Sequence, residues 1–154
     1  MTHILEYKEL TQRTARSFLR KFPEHQAFVY AVESVVATTF PQTTVSVFEA
    51  RRFIENICDE RSVDTPIVQS VSAIGGASFV ACASHKHYTI SLKGKQTKLT
   101  LCHELAHLLC DSDVGHEEPW RSLFVDITRQ HIGVEQGAFL HSLYTRLDLP
   151  TQWN

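Results

Sequence analysis

An H-E-x-x-H motif made by His103, Glu104 and His107 lies inside the apolar segment of residues 101–110. Side chains four residues apart share one face of a helix, so the two imidazoles can bind one metal ion. Glu104 lies about 100° further round the helix, near enough to reach a water on that ion. Two neutral imidazoles and a proton-accepting carboxylate are the arrangement that a zinc hydrolase needs. The motif therefore predicts a zinc site with Glu104 as the general base.

The residues around the motif favour a buried helix. Leu105 and Ala106, between the two histidines, are strong helix formers. Leu101, Leu108 and Leu109 add to an apolar side that can pack on a core. The alternative is a helix that carries the two histidines and the glutamate on a solvent-exposed face and binds no metal.

A third protein ligand is expected, because catalytic zinc sites combine three protein ligands with a water. His116 follows His107 after a turn signalled by Asp111 and Gly115, and Pro119 then suits the first turn of another helix. His116 is therefore the predicted third ligand. The carboxylates that compete with it for this role are those of Asp126, Glu117 and Glu118.

The motif, the short loop and the spacing from His116 to Trp120 resemble the SprT-like zincins. They are still more similar to a family of small zincin-like metallohydrolases from actinobacteria and their phages, and residues 132–138 resemble the opening of that family's last helix. The resemblance covers residues 99–147. It implies a minimal zincin-like α+β fold, in which a small mixed sheet of three or four strands packs on helices. It also implies one Zn²⁺ held by His103, His107 and His116, with Glu104 as the catalytic base.

Elsewhere the chain alternates helical and extended patterns. Residues 49–64 fit either a short helix or a surface loop, Gly75 and Gly76 predict a turn, and residues 151–154 predict a loose tail. Helices are expected over residues 2–22, 24–39, 97–110 and 134–147, and another begins near Pro119 and continues at least to Ile127. Strands are expected over residues 43–48, 66–74, 78–83 and 87–92.

Length and composition predict one domain over residues 1–154. No apolar run has the length of a membrane span and no signal-peptide pattern opens the chain, so we expect a cytoplasmic protein without a membrane partner. The four cysteines have no paired C-x-x-C spacing, which favours buried, unbridged thiols. The net charge of −2 gives no overall basic footprint for nucleic acid.

One segment, residues 85–98, departs from that balance with four lysines and no acidic residue. Lysines of this kind fit an edge strand that is protected against aggregation. They also fit a patch that faces nucleic acid, which is the weaker of the two interpretations.

The predicted reaction is hydrolysis of a peptide bond. A peptide or protein substrate is expected to pair as an added strand beside residues 87–92, which begin at His87 and end at Leu92. Two other functions fit the same motif. One is a regulatory protease that cuts a phage or mobile-element repressor, and the other is a non-catalytic interaction module stabilised by zinc.

Two supporting roles remain open between several residues. A donor should stabilise the developing oxyanion, and carboxylates should orient the zinc-binding imidazoles. The candidate oxyanion donors are Arg121, His131, His141 and Tyr144, and the candidate carboxylates are Asp111, Asp113 and Asp126.

Overall fold

A computed structural model describes residues 2–74 and 80–153. Over these residues the protein is α+β, with six helices and two small sheets, so the predicted fold class is confirmed. The turn predicted at Gly75 and Gly76, and the start of the strand predicted over residues 78–83, lie outside the described residues. The elements are α1 Thr2–Phe18, α2 Glu24–Thr39, β1 Thr44–Val45, α3 Val47–Arg61, β2 Ile67–Ser70, β3 Ala81–Ser84, β4 Thr89–Leu92, β5 Gln96–Thr97, α4 Lys98–Leu109, α5 Glu118–His131 and α6 Val134–Arg146.

The chain divides into two compact units. One contains residues 1–41 and 116–154, and therefore helices α1, α2, α5 and α6. The other contains residues 42–115, with both sheets and helices α3 and α4. The single domain expected over residues 1–154 stays a prediction.

The helical unit is held together by apolar faces of its four helices. Helix α1 packs against α2, α5 packs against α6, and α2 also contacts α6. Three of the largest fully buried side chains of the protein, Trp120, Phe124 and Tyr144, lie in this unit. Trp120, Phe124 and Ile127 are fully buried and form the core-facing side of α5.

The C-terminal segment is fixed to this unit, so the prediction of a loose tail is wrong for the described residues. The backbone N–H of Gln152 donates to the Ser122 hydroxyl at 2.8 Å. The Trp153 ring lies 4.9 Å from the guanidinium of Arg129, in a cation–π contact. The tail is therefore held to α5 by both a polar and an aromatic contact.

Helices α5 and α6 approach each other closely at Gly137. A Cβ atom added there would lie 2.6 Å from the Arg129 Cβ and 2.8 Å from its Cα, and the backbone of α5 cannot turn aside as a flexible side chain can. We expect Gly137→Ala to lower the free energy of unfolding by about 1–3 kcal/mol, although alanine is the better helix former. Urea denaturation measures this change.

Gly133→Ala is the matched control, because nothing lies within 4 Å of the added methyl group. Gly133 has an extended φ of 169° at the N-cap of α6, where replacing glycine by alanine costs about 0.5–1 kcal/mol, below most of the range expected for Gly137→Ala. Equal losses in the two variants would show that the close approach at Gly137 does not matter.

The three-stranded sheet has the order β2-β4-β3, so β4 is its central strand. It pairs in parallel with β2, where Val68 lies opposite Ile90, and antiparallel with β3, where Ala83 lies opposite Ile90. The predicted mixed sheet of three to four strands is thus observed. The predicted addition of a substrate strand beside residues 87–92 is wrong, because both sides of β4 are already paired. The lysine-bearing segment does not form one edge strand: it contains β4, which is paired on both sides, and β5, which pairs with β1 in the two-stranded sheet, and its four lysines lie outside both strands.

The strand expected over residues 43–48 is also mostly wrong. Only Thr44–Val45 is extended, and it pairs with β5. Helix α3 begins at Val47 because Ser46 and Glu49 form a capping box: the Glu49 N–H donates to the Ser46 hydroxyl at 3.2 Å, and the Ser46 N–H donates to the Glu49 carboxylate at 2.7 Å. Of the two interpretations of residues 49–64, the helix is correct.

The four cysteines all lie within the described residues and form no disulfide. Cys58 and Cys102 are buried and Cys110 is half-buried, but Cys82 is exposed, which corrects the expectation of four buried thiols. Across residues 2–74 and 80–153, no helix combines the length and the apolarity needed to cross a bilayer.

Candidate metal centre

Helix α4 carries the H-E-x-x-H motif in a buried position. Its N-cap is Thr97, whose hydroxyl accepts the Thr100 N–H at 3.2 Å, close to the start predicted from the sequence. The His103 side chain is 4% exposed and that of Glu104 is 9% exposed. The alternative of three polar residues on a solvent-exposed face is therefore excluded. A buried histidine and a buried glutamate are costly without polar partners.

The two imidazoles of the motif point at one place. The Nε2 atoms of His103 and His107 are 3.2 Å apart, and the ring centroids are 5.0 Å apart. Two nitrogens bound tetrahedrally to zinc at about 2.0–2.1 Å would be about 3.3 Å apart. The pair is thus already at the spacing that a shared ion requires. Without an ion, the same separation suits a hydrogen bond in which one Nε2–H donates to the other Nε2.

His116 completes the set. One ligand nitrogen from each of His103, His107 and His116 lies within 4.8 Å of the others, and among the described residues no other set of three histidine, cysteine or acidic side chains is grouped in this way. His103 is buried and the other two are half-buried. The three histidines could therefore hold a metal ion.

The carboxylates predicted as competing ligands have other contacts. Asp126 accepts from Arg129 at 2.6 Å and from the Gln130 amide at 3.0 Å. Glu118 accepts from the Ser122 hydroxyl at 2.5 Å, and Glu117 is exposed at the N-cap of α5. Asp111 and Asp113, which were predicted to orient the imidazoles, are exposed in the loop before His116.

The loop before His116 turns sharply. The Val114 N–H donates to the Asp111 carbonyl at 3.1 Å, and Gly115 has a left-handed φ of 59° that favours glycine. The His116 ring then packs edge-on against Trp120, with centroids 4.6 Å apart, and against Tyr30, with centroids 5.5 Å apart. Aromatic rings from α5 and α2 thus fix the plane of this imidazole.

The main-chain carbonyl of His116 accepts two hydrogen bonds. One comes from His25 Nε2 at 3.0 Å and the other from Arg121 Nη1 at 2.9 Å. Arg121 Nη2 also donates to the Pro150 carbonyl at 3.2 Å. Arg121 is therefore bound to main-chain oxygens and is only 3% exposed, which argues against its predicted role as an oxyanion donor. No pattern in the sequence pointed to His25.

The other predicted oxyanion donors differ in their surroundings. Tyr144 is fully buried, and burial raises the pKa of its phenol well above the usual value, with the Glu33 carboxylate adding to the effect. A substrate cannot reach such a group. His141 contacts the Thr151 hydroxyl through Nδ1 at 2.5 Å, and His131 is half-buried in the last turn of α5.

Glu104 lies near the edge strand β3, which packs beside α4. Burial raises the pKa of the Cys82 thiol, and the negative charge of Glu104 raises it further. The charge of the motif carboxylate therefore acts on a side chain of β3.

The edge of β3 that faces away from β4 can be assigned from the pairing of the two strands. The Lys93 N–H donates to the Val80 carbonyl at 2.8 Å, and hydrogen-bonded pairs alternate along an antiparallel ladder. The N–H and C=O groups of Ala81 and Ala83 therefore point away from β4. At the opposite edge of the sheet, Arg51 Nε donates to the Val68 carbonyl of β2 at 2.8 Å.

The chain has no significant match to any model of a protein family, to any curated protein or to any solved structure.

Proposed function

We propose that the protein is a zinc-dependent hydrolase, most specifically a metallopeptidase of the zincin type. One observation carries the proposal. The Nε2 atoms of His103 and His107 are 3.2 Å apart, and one ring nitrogen of each of these residues and of His116 lies within 4.8 Å of the others. Glu104 follows His103 directly in the sequence. Three protein ligands that leave a fourth position open are typical of catalytic zinc sites, whereas structural zinc sites close all four positions.

The donor set favours zinc. Three imidazoles without a thiolate or an oxygen ligand suit zinc better than the hard cations Mg²⁺ and Ca²⁺, which take oxygen ligands. For His103 and His107 the Nε2 lone pairs would bind the ion, so the ring proton stays on Nδ1. When bound, Zn²⁺ supplies a Lewis acid that lowers the pKa of a water and polarises a carbonyl oxygen.

Glu104 has the role of the general base. Its carboxylate accepts a proton from the attacking water and passes it to the leaving amine, so one group serves as base and then as acid. The buried position of Glu104 suits this role, because an electrostatic interaction is stronger where water is excluded. No other carboxylate of α4 competes with it, since Glu104 is the only acidic residue of that helix.

We place an extended peptide along β3 rather than β4. The outward N–H and C=O groups of Ala81 and Ala83 could form a ladder with a peptide strand, and Glu104 approaches the same strand. The Val68 carbonyl of β2 accepts a hydrogen bond from the charged Arg51 at 2.8 Å, whereas the Ala83 carbonyl of β3 has only the weak contact of the Cys82 thiol at 3.6 Å, so β3 is the better of the two edges in the described part of the sheet.

Removing the metal is expected to abolish cleavage. Protein treated with a chelator and dialysed should cleave no member of a diverse pool of unstructured peptides, and one equivalent of Zn²⁺ should restore cleavage. Mg²⁺ is the control ion and should restore nothing, because it prefers oxygen ligands. Mass spectrometry of the pool measures the products. A zinc-loaded protein that leaves the whole pool intact would favour the non-catalytic zinc-stabilised module instead.

A further inference from the structure

We propose that His25 and Arg121 are positioning residues of the metal centre, which hold the main-chain carbonyl of His116 so that its imidazole is preorganised for the ion. This inference rests on the proposed metal centre. Its first support is the geometry of one oxygen atom: the His116 carbonyl lies 3.0 Å from His25 Nε2 and 2.9 Å from Arg121 Nη1.

The direction of both hydrogen bonds follows from chemistry. A carbonyl oxygen can only accept, and His25 Nε2 lies closer to it, at 3.0 Å, than to Arg121 Nη1, at 3.3 Å, so we assign the His25 proton to Nε2. In the other tautomer Arg121 Nη1 would donate to His25 Nε2, and His25 would no longer bond to the carbonyl. In this assignment His25 Nε2 donates to the His116 carbonyl and is not a ligand of the metal ion.

The burial of Arg121 is the second support for the inference. Its guanidinium is removed from water, and burial lowers the pKa of Arg121. A buried charge of this kind is costly, and two main-chain carbonyls offset the cost only in part. Since those carbonyls belong to His116 and Pro150, the charge fixes the backbone at the predicted third ligand and at the segment after α6.

The main chain and the side chain of His116 are therefore fixed independently. The two donors hold the carbonyl, while Trp120 and Tyr30 hold the ring. A ligand that is ordered before the ion arrives loses less conformational entropy on binding, so the affinity for the ion rises. Groups that orient metal ligands in this way typically contribute 10–100-fold to metal affinity.

The test uses two polar substitutions at His25 that differ only in reach. In His25→Gln the amide nitrogen lies as many bonds from Cβ as Nε2 does, whereas in His25→Asn it falls one bond short. We expect His25→Asn to weaken Zn²⁺ binding by about 10–100-fold and His25→Gln to stay within about 3-fold of the unsubstituted protein. Competition with a chromophoric chelator measures the affinity. His87→Asn is the matched control, because His87 is an exposed histidine in the turn before β4.

A second readout separates positioning from general stability. The visible absorption of Co²⁺ bound in place of zinc reports ligand geometry, and it should lose intensity in His25→Asn but not in His25→Gln or His87→Asn. Circular dichroism of the metal-free proteins should be the same for all of them. Unchanged affinity and spectrum in His25→Asn, or equal losses in the two His25 variants, would overturn the inference.

His116→Ala in the same titration distinguishes this inference from the proposal on which it rests. If His116→Ala weakens Zn²⁺ binding and His25→Asn does not, only the positioning role of His25 is lost. If His116→Ala also binds Zn²⁺ as the unsubstituted protein does, the three-histidine centre itself is refuted.

Discussion

Replacing Glu104 by glutamine is expected to leave Zn²⁺ bound and to lower kcat/KM for peptide hydrolysis by about 10²–10⁴-fold, the usual contribution of a general base. The glutamine amide has the same shape as the carboxylate but cannot accept the proton of the attacking water. The three histidines are unchanged, so the metal content should stay at one ion per chain. Hydrolysis of a peptide found in the pool assay measures the rate, and atomic absorption measures the zinc.

Glu55→Gln provides the matched control for this variant. Glu55 is an exposed residue of α3, so the substitution removes the same charge without touching the motif. It should leave the rate within about twofold of the original, as surface substitutions usually do. Equal activity in the Glu104 variant and in the unsubstituted protein would refute the enzyme interpretation. Loss of zinc from Glu104→Gln would instead show that Glu104 holds the ion.

The sequence predicted those parts of the fold that depend on local signals. Helix α2 was predicted over residues 24–39, and the structure places it at Glu24–Thr39. The start of α4 followed from Thr97 and the apolar run. In both helices many apolar residues recur at helical spacing and a residue that favours a helix boundary follows or precedes them. The helix propensity of the residues and the burial of their apolar side chains therefore favour the same structure. The pair His103 and His107 followed from helix geometry alone for the same reason.

Where local signals conflicted, the interpretation was wrong. The β-branched residues 43–48 predicted a strand, yet Ser46 and Glu49 also form the S-x-x-E pattern of a capping box. In the structure the cap starts α3 at Val47, and only Thr44–Val45 remains extended. The capping pattern was visible in the sequence and would have corrected the boundary.

Contacts between distant residues were beyond prediction from one sequence. His25 precedes His116 by 91 residues, and no periodicity links the two. The order β2-β4-β3 likewise depends on which strands meet, so residues 87–92 were mistaken for an edge. The docked tail depends on Trp153 meeting Arg129. In each case the position is set by tertiary packing, which a local pattern does not encode.

Replacing His116 by alanine is expected to weaken Zn²⁺ binding by more than about 100-fold, because even residues that only orient a ligand are worth 10–100-fold. The variant keeps His103 and His107, and two imidazoles alone leave half of a tetrahedral shell to water. The substitution preserves the carbonyl that His25 and Arg121 hold, so the fold should survive. Chelator competition measures the affinity, and circular dichroism checks the fold.

Two carboxylate variants, Asp126→Asn and Glu118→Gln, test the competing ligands in the same assay. Asp126 is paired with Arg129 and Glu118 with Ser122, so neither substitution should change zinc affinity by more than about threefold. If either variant loses zinc affinity while His116→Ala binds zinc normally, the third ligand is a carboxylate and not His116.

We expect that only His116→Ala loses zinc affinity. In that case all three protein ligands are neutral imidazoles, and the site keeps the full positive charge of the ion. That charge favours both the lowering of a water pKa and the polarisation of a carbonyl, and Glu104 is then the one acidic group of α4 available to accept the proton.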